Sequence, residues 1–177
     1  MDPFRAVEKA MAMSPEVWAR HANPLSGLTR MATAPVLILA IYARAWIGWW
    51  SLLPIAVVTA WIWVNTRIFP PPADHGHWMT RVVLGERWFL ARHSVTLPDH
   101  HIAAAHWLTA LSLLGLPPLV WGLWVLDPGW TVAGGALALL PKLWFCDRMV
   151  WLYQDQTGSV PGHPEPKPQL PPEETAQ

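Results

Sequence analysis

The chain has 177 residues, of which 53% are hydrophobic and only 14% are charged. This composition is too apolar for an ordinary soluble domain, so we expect the protein to reside in a lipid bilayer. The formal net charge of zero argues against nucleic-acid binding, and the single cysteine, Cys146, excludes an internal disulfide and a CxxC metal site. The fourteen tryptophans are typical of the aromatic belts at membrane interfaces.

The amino-terminal segment, residues 1–26, is polar, and we expect no secretory signal peptide in it. Apolar and charged side chains are interspersed there, which predicts one or two short amphipathic helices on the cytoplasmic membrane surface. Ser14-Pro15-Glu16 is typical of a helix start. Asn23-Pro24 should interrupt the helical pattern, because the residue before a proline is pushed out of the helical conformation.

Two uncharged runs on either side of Arg44 predict a helical hairpin. The first span is expected over residues 28–43 and the second over residues 51–64, with a turn rich in Trp and Gly between them. Because a bilayer needs about 20 residues per span, the first run is short and a re-entrant loop is the alternative. Arg30 and Arg44 can lengthen the span by snorkelling to the interfaces.

The hairpin is followed by a loop and an amphipathic segment. The loop, NTRIFPPPADHGHW, contains consecutive prolines and is polar, which places it outside the hydrocarbon region. In residues 77–92, apolar side chains recur among charged ones, and this pattern predicts a helix that lies in the membrane plane.

A second apolar pair of segments completes the membrane domain. The third span is expected over residues 101–126, with a kink at Pro117-Pro118. The fourth is expected over about residues 130–153, and its Ala133-Gly134-Gly135-Ala136 permits a close helix approach. The proline-rich remainder, residues 156–177, lacks a core pattern and is predicted to be disordered.

The sequence therefore predicts an all-α fold, an integral membrane bundle of four transmembrane helices in two hairpins over residues 27–155. Of the twelve Lys and Arg residues, only Arg44 lies in a segment assigned to the far side. By the positive-inside rule, both termini and the central loop are cytoplasmic in a multi-pass protein of the inner (plasma) membrane.

Ionisable side chains inside a span are costly and tend to face the bundle interior. Lys142 is expected about 18 Å along the fourth span from Trp130, at about 1.5 Å per residue. The candidate acid–base residues for chemistry on a lipid are Lys142, Asp147, Glu86 and His101. The candidate residues for an anionic lipid headgroup are Asn23, Arg30, Asn65, Arg67, Arg87, Lys142 and Arg148. Snorkelling of Lys142 and an interfacial Asp147–Arg148 pair explain part of this pattern without any site.

The histidines do not have the spacing of the boxes in membrane di-iron enzymes. Ligands three or four residues apart share a helix face, whereas His101 and His106 are five apart. We therefore predict no metal site, and no motif implies a cofactor. The alternative ligand set is His100, His101 and His106, and a haem between His106 and another span is a further alternative.

Four segments, RHANPLSGLTR, NTRIFPPP, VLGER and KLWFCDRMVWLYQD, resemble a family of small uncharacterised integral-membrane proteins of bacteria and haloarchaea. The resemblance covers roughly residues 17–155 and leaves out the flanks before Ser14 and after Gln156. It implies a multispan membrane fold and says nothing about activity.

The leading functional hypothesis is an accessory or lipid-interacting membrane protein with a polar cluster at the cytoplasmic face. Its expected partners are membrane lipids and not nucleic acid, and a second copy of the chain or another membrane subunit is left open. The alternatives are a membrane-embedded enzyme acting on a lipid or isoprenoid substrate and a subunit of a transport or redox complex.

Overall fold

The computed structural model describes residues 9–159 and 169–172, and within them every regular element is helical. The helices are α1 (Pro15–His21), α2 (Pro24–Tyr42), α3 (Arg44–Ile47), α4 (Leu52–Ile68), α5 (Trp78–Leu90), α6 (Asp99–Leu114), α7 (Leu116–Val125) and α8 (Pro128–Thr157). A short 3-10 turn over Gly48–Ser51 joins α3 to α4. The predicted all-α class is confirmed for this part of the chain.

Three helices begin at a polar cap that is followed by proline. Ser14, Asn23 and Asp127 each accept a hydrogen bond from a backbone N–H in the first turn of α1, α2 and α8. A proline at the first helical position loses no hydrogen bond, because its N–H would have no partner in the helix. Since α2 begins at Pro24, it has 19 residues rather than the short predicted run. Its length is about 28 Å, close to the thickness of the hydrocarbon core.

The first hairpin consists of α2 and α4, which pack against each other. At its turn, Arg44 donates hydrogen bonds to the carbonyls of Leu123 and Trp124 at the end of α7. Tyr42 donates from its hydroxyl to the carbonyl of Leu126 at 2.9 Å. Arg44 thus satisfies helix-end carbonyls that have no partner within α7, and it ties the two hairpins together at this end.

In the second hairpin, α6 and α7 pack along α8. The helix is interrupted at Gly115, directly before the predicted kink at the two prolines. Glycines allow α7 and α8 to touch by their backbones: a Cβ added at Gly134 would overlap the backbone of Leu119, and one at Gly122 would overlap Thr131. The predicted close approach is therefore present in this hairpin.

Helix α5 lies at the centre of the fold, between α2 on one side and α8 on the other. Nearly all its residues are buried, including Arg81 and Arg87 at 1% and 5% exposed. The sequence pattern assigns these arginines to a polar outer face, so the observed burial differs from the expectation. The placement of this helix in the membrane plane stays a prediction.

Part of the segment predicted to be disordered is packed against the core. Trp88 donates from its indole nitrogen to the carbonyl of Gln169 at 3.2 Å, and the Gln169 N–H donates to the hydroxyl of Tyr153 at 3.3 Å. Pro171 is fully buried. Residues 156–157 belong to α8, and residues 169–172 make these contacts. The disorder of the tail stays a prediction, since residues 160–168 and 173–177 lie outside the described residues, as do residues 1–8 of the predicted amphipathic segment.

Two stretches are long and apolar enough to cross a membrane, Pro24–Ile68 and Asp99–Val125. The first contains both α2 and α4. Only 6% and 22% of their most apolar windows are buried inside the fold, and large side chains such as Leu39 and Trp107 are exposed along them. Exposed apolar surface of this extent is typical of a protein that contacts lipid or a partner. Helix α8, the predicted fourth span, is not one of these stretches.

The adjacent glycines of α8 provide a test of the backbone contact with α7. Gly134→Ala should destabilise the protein by about 1–3 kcal/mol, because the added methyl meets the rigid backbone of Leu119. Gly135→Ala meets only side-chain atoms at 3.6 Å and beyond and should be neutral or stabilising by up to about 1 kcal/mol. Thermal unfolding of the purified variants in detergent measures both. Equal effects of the two substitutions would contradict this packing.

Candidate functional site

Charged and polar side chains from four helices meet around Glu86 of α5. The Nζ atom of Lys142 on α8 lies 3.5 Å from Oε1 of Glu86 and 4.2 Å from the ring centroid of Phe145. Arg30 of α2 and His21 of α1 both lie close enough to Glu86 to experience its charge. We refer to His21, Arg30, Glu86 and Lys142 as the Glu86 cluster.

Two glycine contacts bring these helices together. Gly85 lies against the backbone carbonyl of Met149, which brings α5 close to α8 and holds the next residue, Glu86, beside that helix. Met149 and Lys142 are seven residues apart, two helical turns, and so share a face of α8. Gly27 lies against the side chain of Met79 and so brings α2 into contact with α5. Arg30 follows Gly27 by three residues, on the same side of α2.

A chain of buried hydrogen bonds supports the cluster from α1, α2 and α4. Nδ1 of His21 lies 3.1 Å from the hydroxyl of Ser26, and that hydroxyl donates to Oδ1 of Asn65 at 2.9 Å. The Asn65 amide nitrogen donates to the hydroxyl of Thr29 at 2.7 Å. Ser26 and Asn65 are fully buried. Asn65, a predicted headgroup ligand, therefore uses both side-chain groups within the protein, and its role in ligand binding stays a prediction.

His21 is buried, and desolvation lowers the pKa of its imidazole from 6.5 to about 4. The positive charge of Arg30 adds to the lowering, and the negative charge of Glu86 opposes it. His21 is therefore neutral at pH 7. The fixed charges of the cluster at that pH are the two cations Arg30 and Lys142 and the carboxylate of Glu86.

The other predicted ligand residues lie in separate contacts. Asn23 caps α2 and donates to the carbonyl of Pro70 at 2.9 Å. Arg67 donates to the carbonyl of Met11 at 2.6 Å. Arg87 is buried within α5, and Arg148 stacks on the ring of Trp151 with its guanidinium carbon 4.9 Å from the centroid. Of the predicted cationic residues, the structure thus brings Arg30 and Lys142 together at Glu86.

The predicted acid–base residues also separate. Lys142 and Glu86 are in contact, whereas Asp147 accepts a hydrogen bond from the indole of Trp78 at 3.4 Å. His101 pairs through Nε2 with Oδ2 of Asp155 at 2.7 Å. The candidates therefore belong to three groups of contacts along α8, and they do not form one constellation.

The alternative metal set is only partly brought together. His100 and His101 stand side by side, with ring centroids 4.2 Å apart, while His106 lies against the ring of Phe89 instead. Asp155, which is not in the predicted ligand set, completes the group. The signal was available, because the predicted second hairpin brings the start of its first helix and the end of its second helix to the same end.

Comparison with known proteins yields one family. The sequence model of a family of unknown function, DUF6653, matches residues 5–168. The match extends beyond residues 17–155, so the expectation that the flanks lie outside the family is wrong for residues 5–13 and 157–168. No curated protein and no solved structure matches the chain.

Burial of His21 predicts a loss of stability in acid. The folded-state pKa of about 4 lies below the ordinary 6.5. As the pH falls from about 6.5 to about 4, the unfolded chain therefore takes up the proton first, and the free energy of unfolding decreases by up to about 3 kcal/mol. His21→Gln should flatten this part of the curve, and His106→Gln, at an exposed histidine, should not. Denaturant unfolding between pH 7.5 and 4 measures the slopes, and equal slopes for wild type and His21→Gln would contradict the assignment.

Proposed function

We propose that this chain, which belongs to the family of unknown function, spans the inner membrane four times. From the Glu86 cluster we also propose that it binds an anionic, phosphate-bearing amphiphile at its cytoplasmic half. In this proposal the spans are α2, α4, the broken helix α6–α7, and α8. Both termini and the central loop are cytoplasmic, and the amphiphile enters between the two hairpins.

The lengths of the helices support four spans. Helices α2 and α4 have 19 and 17 residues, Asp99–Val125 has 27 and α8 has 30. At about 1.5 Å per residue, these correspond to about 25–45 Å, against a hydrocarbon core of about 30 Å. The longer helices can project into the cytoplasm or tilt. The exposed leucines and tryptophans on α2, α4, α6 and α7 then face lipid.

The charge balance of the Glu86 cluster is the observation that carries the proposal. Lys142 pairs with Glu86, and Arg30 lies close enough to Glu86 to experience its charge, so these three side chains together carry one positive charge in excess. Lys142 lies near the middle of α8, next to the exposed side chains of Leu143 and Trp144. An uncompensated cation at this depth is costly, and an anion placed beside it removes the cost. A phosphate offers several charged acceptor oxygens to an arginine and a lysine at once.

The surroundings favour an amphiphile over a small soluble anion. Lys142 is 55% exposed in the fold, and Leu140 and Trp144 beside it are 63% and 61% exposed. In a membrane this surface is in contact with acyl chains, so a ligand whose charged end is held at Lys142 has apolar walls for its tail. Binding is also favoured over acid–base chemistry, because Asp147 and His101 engage Trp78 and Asp155 instead.

The headgroup site can be tested by native mass spectrometry of the full chain in detergent, with added phosphatidylglycerol or phosphatidylcholine. We expect preferential retention of phosphatidylglycerol in the wild type and an apparent affinity about tenfold lower in Lys142→Met and in Arg30→Met. Arg148→Met removes a cation from the same helix that stacks on Trp151, and it should bind like the wild type.

A parallel titration with inorganic phosphate distinguishes a site for a lipid phosphate headgroup from a site for free phosphate. Weak or undetectable binding of phosphate, together with retention of phosphatidylglycerol, supports a lipid headgroup site. Equal binding of the two lipids would overturn the proposal, and so would equal losses in Lys142→Met and Arg148→Met.

The topology is tested by reporter fusions. A reporter at Gly48, in the turn between α3 and α4, should be on the far side of the membrane, and one at Asp74, in the central loop, should be cytoplasmic. Cysteine accessibility at the same two positions in intact cells gives an independent reading. A cytoplasmic reporter at Gly48 would mean that the first hairpin is re-entrant.

A further inference from the structure

A second group of chemistry-bearing side chains lies near the end of α8, thirteen residues beyond Lys142, or about 20 Å along the helix. It comprises His100 and His101 in the first turn of α6 and Asp155 in the last turn of α8. One ligand atom from each lies within 4.8 Å of the others. We propose that these residues form a binding site for a divalent transition-metal ion, with Zn²⁺ as the best fit.

The donor set has the chemistry that Zn²⁺ prefers. Imidazole nitrogen and carboxylate oxygen bind Zn²⁺ at about 2.0–2.2 Å, and a tetrahedral ion keeps such donor atoms about 3.3 Å apart. Nε2 of His101 and Oδ2 of Asp155 are now 2.7 Å apart, the distance of a hydrogen bond. An entering ion has to separate them by roughly half an ångström. Asp155 has room to move, because its side chain is 54% exposed near the end of a helix.

His101 provides the fixed part of the site. Its side chain is fully buried, so packing fixes the position of the ring, and the ring nitrogen that faces Asp155 is Nε2. The proposed ion is therefore bound through Nε2. The exposed ring of His100 stands 4.2 Å from the ring of His101 at an interplanar angle of 38°. A cation that is bound by one nitrogen of each imidazole and by a carboxylate oxygen of Asp155 accounts for the contact between the two rings.

The end of α8 favours a cation here, and Asp99 offsets the unfavourable start of α6. Carbonyls in the last turn of α8 have no partner within the helix and carry partial negative charge beside Asp155. The partial positive charge at the start of α6 is opposed by Asp99 in its first turn. Three protein ligands leave a fourth position for water, an arrangement shared with zinc sites that bind exchangeable ligands. Because its ligands come from two helices, the ion also stabilises the contact between α6 and α8.

The test is a titration of the chelator-treated full chain in detergent with Zn²⁺, followed by calorimetry. We expect one ion per chain at the site and a higher unfolding temperature with the ion bound. Co²⁺ in place of Zn²⁺ should give the visible absorption bands of a four-coordinate ion. His100→Ala should weaken the affinity about 100-fold. It should leave the metal-free unfolding temperature unchanged, because His100 is exposed.

Two further variants separate a metal site from a simple hydrogen bond between helices. Asp155→Asn keeps a hydrogen-bonding side chain opposite His101 and should still lose Zn²⁺ affinity and the Co²⁺ bands. His106→Gln is the matched control, since His106 is exposed on the same helix with its ring against Phe89, and it should bind like the wild type. No stoichiometric binding by the wild type would overturn the proposal, as would wild-type affinity in both His100→Ala and Asp155→Asn. Neither outcome bears on lipid binding at Lys142.

Discussion

The contact of Gly85 with the backbone of Met149 is the constraint on which the centre of this protein depends. Without a side chain at Gly85, α5 lies directly on α8, and its other residues then fill the space between α8 and the first hairpin. Phe89 meets Phe145 edge to face, with ring centroids 6.1 Å apart. Any side chain at Gly85 would have to displace main-chain atoms, which a close-packed core resists. The same contact places Glu86 within reach of Lys142.

The Glu86 carboxylate is therefore held by packing and does not depend on the ion pair itself. A pair at 3.5 Å with a half-exposed lysine contributes little to stability in water. In the proposed topology the surroundings are apolar, and the attraction between the two charges is stronger because water no longer screens it. Arg30 places a second cation near the same carboxylate, and His21, which is neutral at pH 7, adds no charge. The arrangement is thus better suited to receiving an anion than to a closed structural salt bridge.

Local signals in the sequence explain where three of the described helices begin. Ser14, Asn23 and Asp127 cap helices because each side-chain oxygen accepts a hydrogen bond from a backbone N–H of the first turn. The proline that follows each of them has no N–H that needs a partner. The interruption at Gly115 likewise follows from neighbouring prolines. The burial of Arg81 and Arg87 could not be predicted in this way, because an amphipathic pattern looks the same whether its polar face meets water or another element. Asp155 was missed although the predicted second hairpin already pairs the start of α6 with the end of α8, because His101 is distant from it in sequence.

Helix α8 shows why hydropathy alone underestimates the role of a central helix. The two stretches that are long and apolar enough to cross a membrane are mostly exposed, whereas one face of α8 packs against α5, α6 and α7 along successive parts of its length. Helix α8 can carry Lys142, Asp147 and Asp155, because these neighbours supply Glu86, Trp78 and His101 as partners. Polar residues lower the hydropathy of the very segment that organises the bundle. In a membrane fold built in this way, the least apolar long helix is therefore the place to look for function, and both proposed sites lie on it.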